Sequence, residues 1–243
     1  MSDGFVDFSF GSGDDALKGG GYTKRFKAEA GRTYRVSFAW FGDYDGDGFP
    51  VEGSAPKFTG CERTRYKEGI GFVLLTDSNR AAMLDLLKVE PQQRLGTVIV
   101  VWPCDKDGEL DVASFKAGKG YKVQPWDMPP TKYSDIGRIN KRFDLGSHDL
   151  AMTCEDKTYQ KMSFAPEKDN LLQKLITSDK EEFQTIGKRI LGEARKVAEN
   201  IHRDLARTMT VDEVKEKLGM DVSSPTGSSH AAKDVDDLLN DVL

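Results

Sequence analysis

Nowhere in the 243 residues does an apolar run approach the roughly 18 to 20 residues that a membrane-crossing helix requires. Apolar residues make up 38% of the chain and charged residues 31%, so a polar surface and no membrane partner are expected. Cysteine is scarce: Cys61, Cys104 and Cys154 are odd in number and widely spaced, which fits reduced thiols better than a disulfide framework. Histidine is equally thin, with three in all. His148 and Cys154 would give a zinc ion at most two ligands, and no closely spaced Cys pair supplies the rest. The His and Cys residues carry no local nucleophile signature. Ala117-Gly118-Lys119-Gly120 lacks both the upstream Gly spacing and the Ser/Thr of a phosphate-cradling loop. No metal, no cofactor and no catalysis are therefore expected. The start, Met-Ser-Asp-Gly-Phe, is acidic and without an apolar signal core, so a cytoplasmic location is expected.

What the chain does have is acid gathered at its two ends. Residues 1–23 carry four Asp and one Lys, and residues 219–243 carry five Asp and one Lys. Of the 35 basic and 40 acidic residues, 33 and 31 then lie in residues 24–218, so the net charge of −5 conceals a slightly basic body. A basic working face with acidic termini would give this asymmetry. One acidic stretch, Asp43-Tyr-Asp45-Gly-Asp47-Gly48, begins like a calcium loop, but the twelfth position is Ser54 where a bidentate Glu should close the site. It reads as an inter-strand loop.

Residues 1–21, with Phe5, Phe8 and Phe10 among Gly, Ser and Asp, read as a flexible or loosely docked arm, its rings packing on a neighbouring protomer or on the protein's own core. From Thr33 to Trp40, Tyr34, Val36, Phe38 and Trp40 alternate with Arg35, Ser37 and Ala39, the period of a half-buried strand. Strands are predicted at Lys57–Tyr66, Ile70–Thr76 and Thr97–Trp102, with a further one over Glu109–Phe115. A helix runs from an Asp77-Ser78-Asn79 cap to Lys88 and is closed by Pro91. A Gly/Pro-rich passage extends to about Phe143, and strands at His148–Glu155 and Thr158–Ala165 flank an Asp156-Lys157 turn. Three strands, a helix and more strands is the order of an OB-fold, the small Greek-key barrel that binds single-stranded nucleic acid, although other barrels share it. The C-terminal third is helical. Ser178-Asp-Lys-Glu181 forms a capping-box pattern, and apolar residues from Phe183 to Leu205 recur at steps of three and four, predicting one long amphipathic helix. Thr210-Val-Asp-Glu213 opens a short helix that stops at Gly219. The fold class is thus mainly β with an α-helical C-terminal extension: an arm at 1–21, an OB-like barrel at 22–166, helices at 167–218, and a linker with an acidic tail at 219–243.

Basic residues interleaved with aromatics are the positive signal for function. Arg63, Arg65, Tyr66 and Lys67 stand at the end of a strand and its turn. Lys116, Lys119, Tyr121, Lys122, Trp126, Lys132, Tyr133, Arg138, Lys141 and Arg142 follow in the Gly/Pro-rich passage. Cations would track phosphates while exposed rings stack bases with little sequence preference.

The chain ends in Lys233-Asp-Val-Asp-Asp-Leu-Leu-Asn-Asp-Val-Leu243 after the Ser/Gly/Pro tether between Met220 and His230, a segment too poor in apolar residues to offset its ordering entropy. This string of about ten residues resembles the C-terminus of the T-even-type phage single-stranded-DNA-binding, or helix-destabilising, proteins. The resemblance implies a protein that coats and protects single-stranded DNA in replication, recombination and repair, in the host cytoplasm if phage-encoded; self-association on DNA is a further partner to be considered. The resemblance also implies recruitment of replication and recombination proteins by the tail, with Asp234, Asp236, Asp237 and Asp241 giving orientation and Leu238, Leu239 and Leu243 apolar anchorage. The competing reading is a protein-interaction adaptor whose barrel and tail both bind protein partners.

Overall fold

The computed structural model describes residues 5–9 (backbone only), 25–51, 54–156 and 161–220. Its framework is one antiparallel sheet arranged around a long strand. The strands are β1 (Phe5–Ser9), β2 (Arg32–Phe38), β3 (Lys57–Thr64), β4 (Pro91–Val101), β5 (Lys122–Met128), β6 (Leu150–Cys154) and β7 (Met162–Pro166). Their order is β1-β3-β4-β2-β6-β7, with β5 also paired to β4. The 11 residues of β4 serve three partners. Its first half lies beside β3, with Thr64 opposite Pro91 and Thr59 opposite Gly96, and its last residues meet β2, with Phe38 opposite Ile99. Leu95–Val101 pair in addition with β5. Among the described residues β1 and β7 do not pair with each other, so the sheet is open.

Alternation along β4 sorts side chains to two faces. Leu95, Ile99 and Val101 join Val36, Phe38, Phe58, Trp126 and Met128 in one core, which α3 (Pro130–Phe143) covers through Ile136. Val98 and Val100 point the other way and pack with Trp102 on α4 (Leu171–Ile176) and α5 (Glu181–Ala198), through Leu172, Leu175, Ile190, Leu191 and Ala194. Helices α4 and α5 thus cover the second face of the sheet. At its far end Leu205, closing α6 (Ile201–Leu205), lies against Gly96: a Cβ there would sit 2.8 Å from Leu205 Cδ1, so any other residue would displace that side chain. A smaller core of Ile70, Val73, Leu75, Met83, Leu87, Met209 and Val214 joins α1 (Arg80–Leu87) to α7 (Val211–Lys217).

Several local expectations change. Ile70–Thr76 is not a strand; Gly69 and Gly71 take φ of +77° and +90°, and the segment instead makes single bridges to Arg63 and Arg207. Glu109–Phe115 is overridden by a cap: the Asp111 side chain accepts from the amides of Ala113 and Ser114 at 3.1 Å and starts α2 (Val112–Lys116). The Gly/Pro-rich passage is largely ordered as β5 and α3, because Pro125 sits within β5 and Pro130 opens α3, where no amide donor is needed. The long C-terminal helix is interrupted at Glu199-Asn200, giving α5 and α6. Ser178 makes no capping box, as Lys180 is the N-cap without a side-chain bond, whereas Thr210 and Glu213 make both bonds of theirs. The arm contributes β1, which pairs with β3 from Phe5↔Cys61 to Ser9↔Lys57; its remaining residues lie outside the described ones. No helix among the described residues is long and apolar enough to cross a membrane.

Candidate functional site

Three guanidiniums converge on one carboxylate beside α6. Arg63 of β3 is 2% exposed. Its Nη2 donates to Asp127 Oδ2 at 2.6 Å, and its Nη1 donates to the Leu205 carbonyl at the end of α6. Arg94 of β4 donates from Nε to Asp127 Oδ1 at 2.6 Å and from Nη2 to the Asp127 carbonyl at 3.2 Å. Arg25 pairs with the same carboxylate at 3.5 Å. Three cations against one anion leave a local excess of positive charge in a partly dry setting, where screening is weak. Burial pulls the Arg63 guanidinium below its ordinary pKa while Asp127 pushes it back; arginine starts so high that it stays a cation. Burial also drives the nearby Cys61 thiol up to about 12, so it is neutral and unreactive.

An aromatic pair adjoins the cluster. The Phe72 ring faces Arg63 at 3.8 Å and Arg25 at 5.1 Å, and Tyr66 meets Phe72 edge-on at 5.5 Å between centroids. Tyr66 is 63% exposed, the most exposed large hydrophobic side chain among the described residues. Arg65 pairs with Glu90 at 2.7 Å on the surface, and Lys67 is exposed in the next turn. The segment 65–67 places Arg65, Tyr66 and Lys67 at the surface, whereas Arg63, expected from the sequence as a DNA contact, is sealed beneath Phe72 and offers no donor to a strand. The fold adds Arg25, Phe72, Arg94 and Asp127, which sequence reasoning missed. Arg94 carried a faint signal, since it shares the parity of Val98 and Val100 on β4; the others had none.

The residues from 116 to 142 do not form one surface. Trp126 is a correction: it is 5% exposed, edge-on to Phe26 at 6.3 Å and against Phe164 at 6.0 Å, so it fills the core and offers no face to a base. Tyr133 is half-buried, edge-on to Phe58 at 5.1 Å. Tyr121 is clamped by α5: Arg189 lies 5.6 Å from its ring centre and donates to its hydroxyl at 3.1 Å, and that hydroxyl donates to Glu193 at 2.8 Å. Burial raises the Tyr121 pKa, keeping that donor protonated. Lys116, Lys119 and Lys122 are exposed around the same turn. On α3, Lys132 and Arg138 pair with Asp135 at 4.0 and 2.6 Å, while Lys141 and Arg142 are exposed in the last turn. Because Trp126 and Asp127 are successive strand residues, α3 covers the face opposite the arginine cluster.

In the Asp43–Gly48 loop, Asp45 Oδ1 is used internally, accepting from the amides of Asp47 and Phe49 at 3.0 and 2.8 Å. No three His, Cys, Asp or Glu side chains among the described residues are grouped to hold a metal ion. The tail residues Asp234, Asp236, Asp237, Leu238, Leu239, Asp241 and Leu243 lie outside the described residues. Comparison of the chain with protein-family models, curated proteins and solved structures found no match.

Proposed function

We infer that this protein binds single-stranded DNA without catalysis, coating it in replication, recombination and repair, as the C-terminal string suggests. The observation that carries the reading is the solvent-facing Tyr66 ring beside three guanidiniums that share one carboxylate. An exposed ring next to excess positive charge is what a sequence-tolerant strand binder needs, since a stacked base contributes about 1–3 kcal/mol and phosphate contacts add a salt-dependent attraction. In this reading the open antiparallel sheet centred on β4 serves as an OB-like scaffold. Its acidic tail recruits replication and recombination proteins.

The test is fluorescence anisotropy of labelled oligo-dT and of matched duplex across a salt series. Label on the DNA is preferable to intrinsic fluorescence, because Trp102 and Trp126 are both buried. Preference for the single strand, with a log–log salt slope of about 0.7 per phosphate neutralised, is expected. Absence of binding to either DNA at low salt would overturn the reading and leave the adaptor.

A further inference from the structure

We propose that Arg25 and Arg94 form a subsite for one phosphate of the bound strand, with Asp127 and Arg63 as positioning residues and Tyr66 as the platform for the adjoining base. The inference rests on the strand-binding reading and deepens it.

The four charged groups divide by exposure. Arg63 is sealed, its side chain 2% exposed, and is held from both ends by Asp127 and the Leu205 carbonyl. It has no freedom to follow a ligand. Arg25 and Arg94 are 16% and 23% exposed, and each reaches Asp127 from a different element, the segment before β2 and the strand β4. Arg94 uses Nε and Nη2 on Asp127, and among the described residues its Nη1 has no hydrogen-bond partner. Among the described residues Arg25 donates through Nη1 alone, at the long distance of 3.5 Å. Both forks therefore keep donors to give, and a tetrahedral oxyanion accepts from two guanidiniums at once. With Asp127 alone, the cluster is short of negative charge; one phosphodiester brings it closer to balance. Asp127 plays a second part, since it holds three like charges together before any ligand arrives.

The aromatic side sets direction. Phe72 stands between the cations and Tyr66, over Arg25 on one hand and edge-on to Tyr66 on the other. A phosphate at Arg25 and Arg94 and a base on Tyr66 would then belong to the same short stretch of strand. The cations of α3 cannot share that stretch, because they lie behind the opposite face of the sheet.

The experiment measures oligo-dT binding by anisotropy across salt for the full chain and for Arg25→Gln, Arg94→Gln, the double variant, and Lys106→Gln as a control, an exposed cation in the turn after β4. Each single substitution is expected to weaken binding by about tenfold, and the double to lower the log–log slope by about 0.7, one phosphate's worth and not two. The control leaves binding within about twofold at fixed salt. Arg25→Lys/Arg94→Lys keeps charge but loses the fork, so affinity falls while the slope holds; this variant separates recognition from folding, which thermal melting checks throughout. Folded glutamine variants with unchanged affinity and slope would overturn the subsite, while leaving the strand-binding reading intact. A wild-type protein that ignores oligo-dT, yet is raised in melting temperature by inorganic phosphate only when Arg25 and Arg94 are present, would overturn that reading and keep the anion subsite. No response to either ligand would overturn both.

Discussion

Substituting Trp126 and Tyr66 by alanine should give opposite results, although both rings read alike in the sequence. Trp126 is 5% exposed and touches Phe26 and Phe164 within one continuous core. Removing a buried aromatic costs about 3–5 kcal/mol, the transfer term plus the cavity left behind. For a domain of this size each kcal/mol moves the melting temperature by about 2–4 °C, so Trp126→Ala should melt roughly 6–20 °C lower. Tyr66 is 63% exposed, with an edge contact to Phe72 as its aromatic neighbour. Tyr66→Ala should stay within about 0.5 kcal/mol of the wild type in stability. It should lose about 1–3 kcal/mol of oligo-dT binding, a roughly 5- to 150-fold weakening. Urea denaturation gives the stabilities and anisotropy the affinities, each affinity corrected for the folded fraction. The reasoning fails if Trp126→Ala melts normally and binds weakly, or if Tyr66→Ala unfolds.

Two further outcomes test the scaffold. Asp149 is buried between Ser37, Arg35 and the Leu171 amide, and burial, opposed by those partners, raises its pKa from 3.8 to about 6. The folded carboxyl holds its proton more tightly than the unfolded one, so its contribution to stability falls as pH rises between about 4 and 6, by on the order of 3 kcal/mol. Urea denaturation across that window should show the wild type losing stability relative to Asp149→Asn, and a difference that does not change with pH would refute the assignment. In α5, a Cβ on Gly187 would meet Ile176 Cγ2 at 2.6 Å, whereas one on Gly192 would meet nothing within 4 Å. Gly192→Ala should therefore stabilise by about 0.5–1 kcal/mol, and Gly187→Ala should destabilise by about 1–3 kcal/mol as overpacking outweighs helix propensity. Equal effects in denaturation would refute the close α4–α5 contact.

How much the sequence disclosed follows from the range over which each signal acts. The alternation of Tyr34, Val36 and Phe38 and the three-and-four spacing from Phe183 to Leu205 are local periods, and β2 and α5 form on them, while the break at Glu199-Asn200 that splits off α6 does not follow from the spacing. The Thr210–Glu213 capping box is a bond between near neighbours and is present as read. Local rules failed where two of them competed, as at Asp111, where a cap overrode a strand pattern, or where proline and glycine counts masked β5 and α3. Exposure was harder still. Tyr66, Tyr121, Trp126 and Tyr133 all lie among basic residues and glycines, and nothing local tells the ring in water from the rings under Arg189, Phe164 or Phe58.

By itself, then, the sequence determined the strands and helices with clean periods, the acidic ends and the positions of the basic and aromatic residues. Which of those residues meet was decided by the tertiary structure alone. Asp127 draws in partners 33, 64 and 102 residues away, and Arg63 caps a helix end 142 residues further along. Such contacts arise from strand register and from the packing of α6 over Gly96, so they form only once non-local pairing has closed the intervening loops.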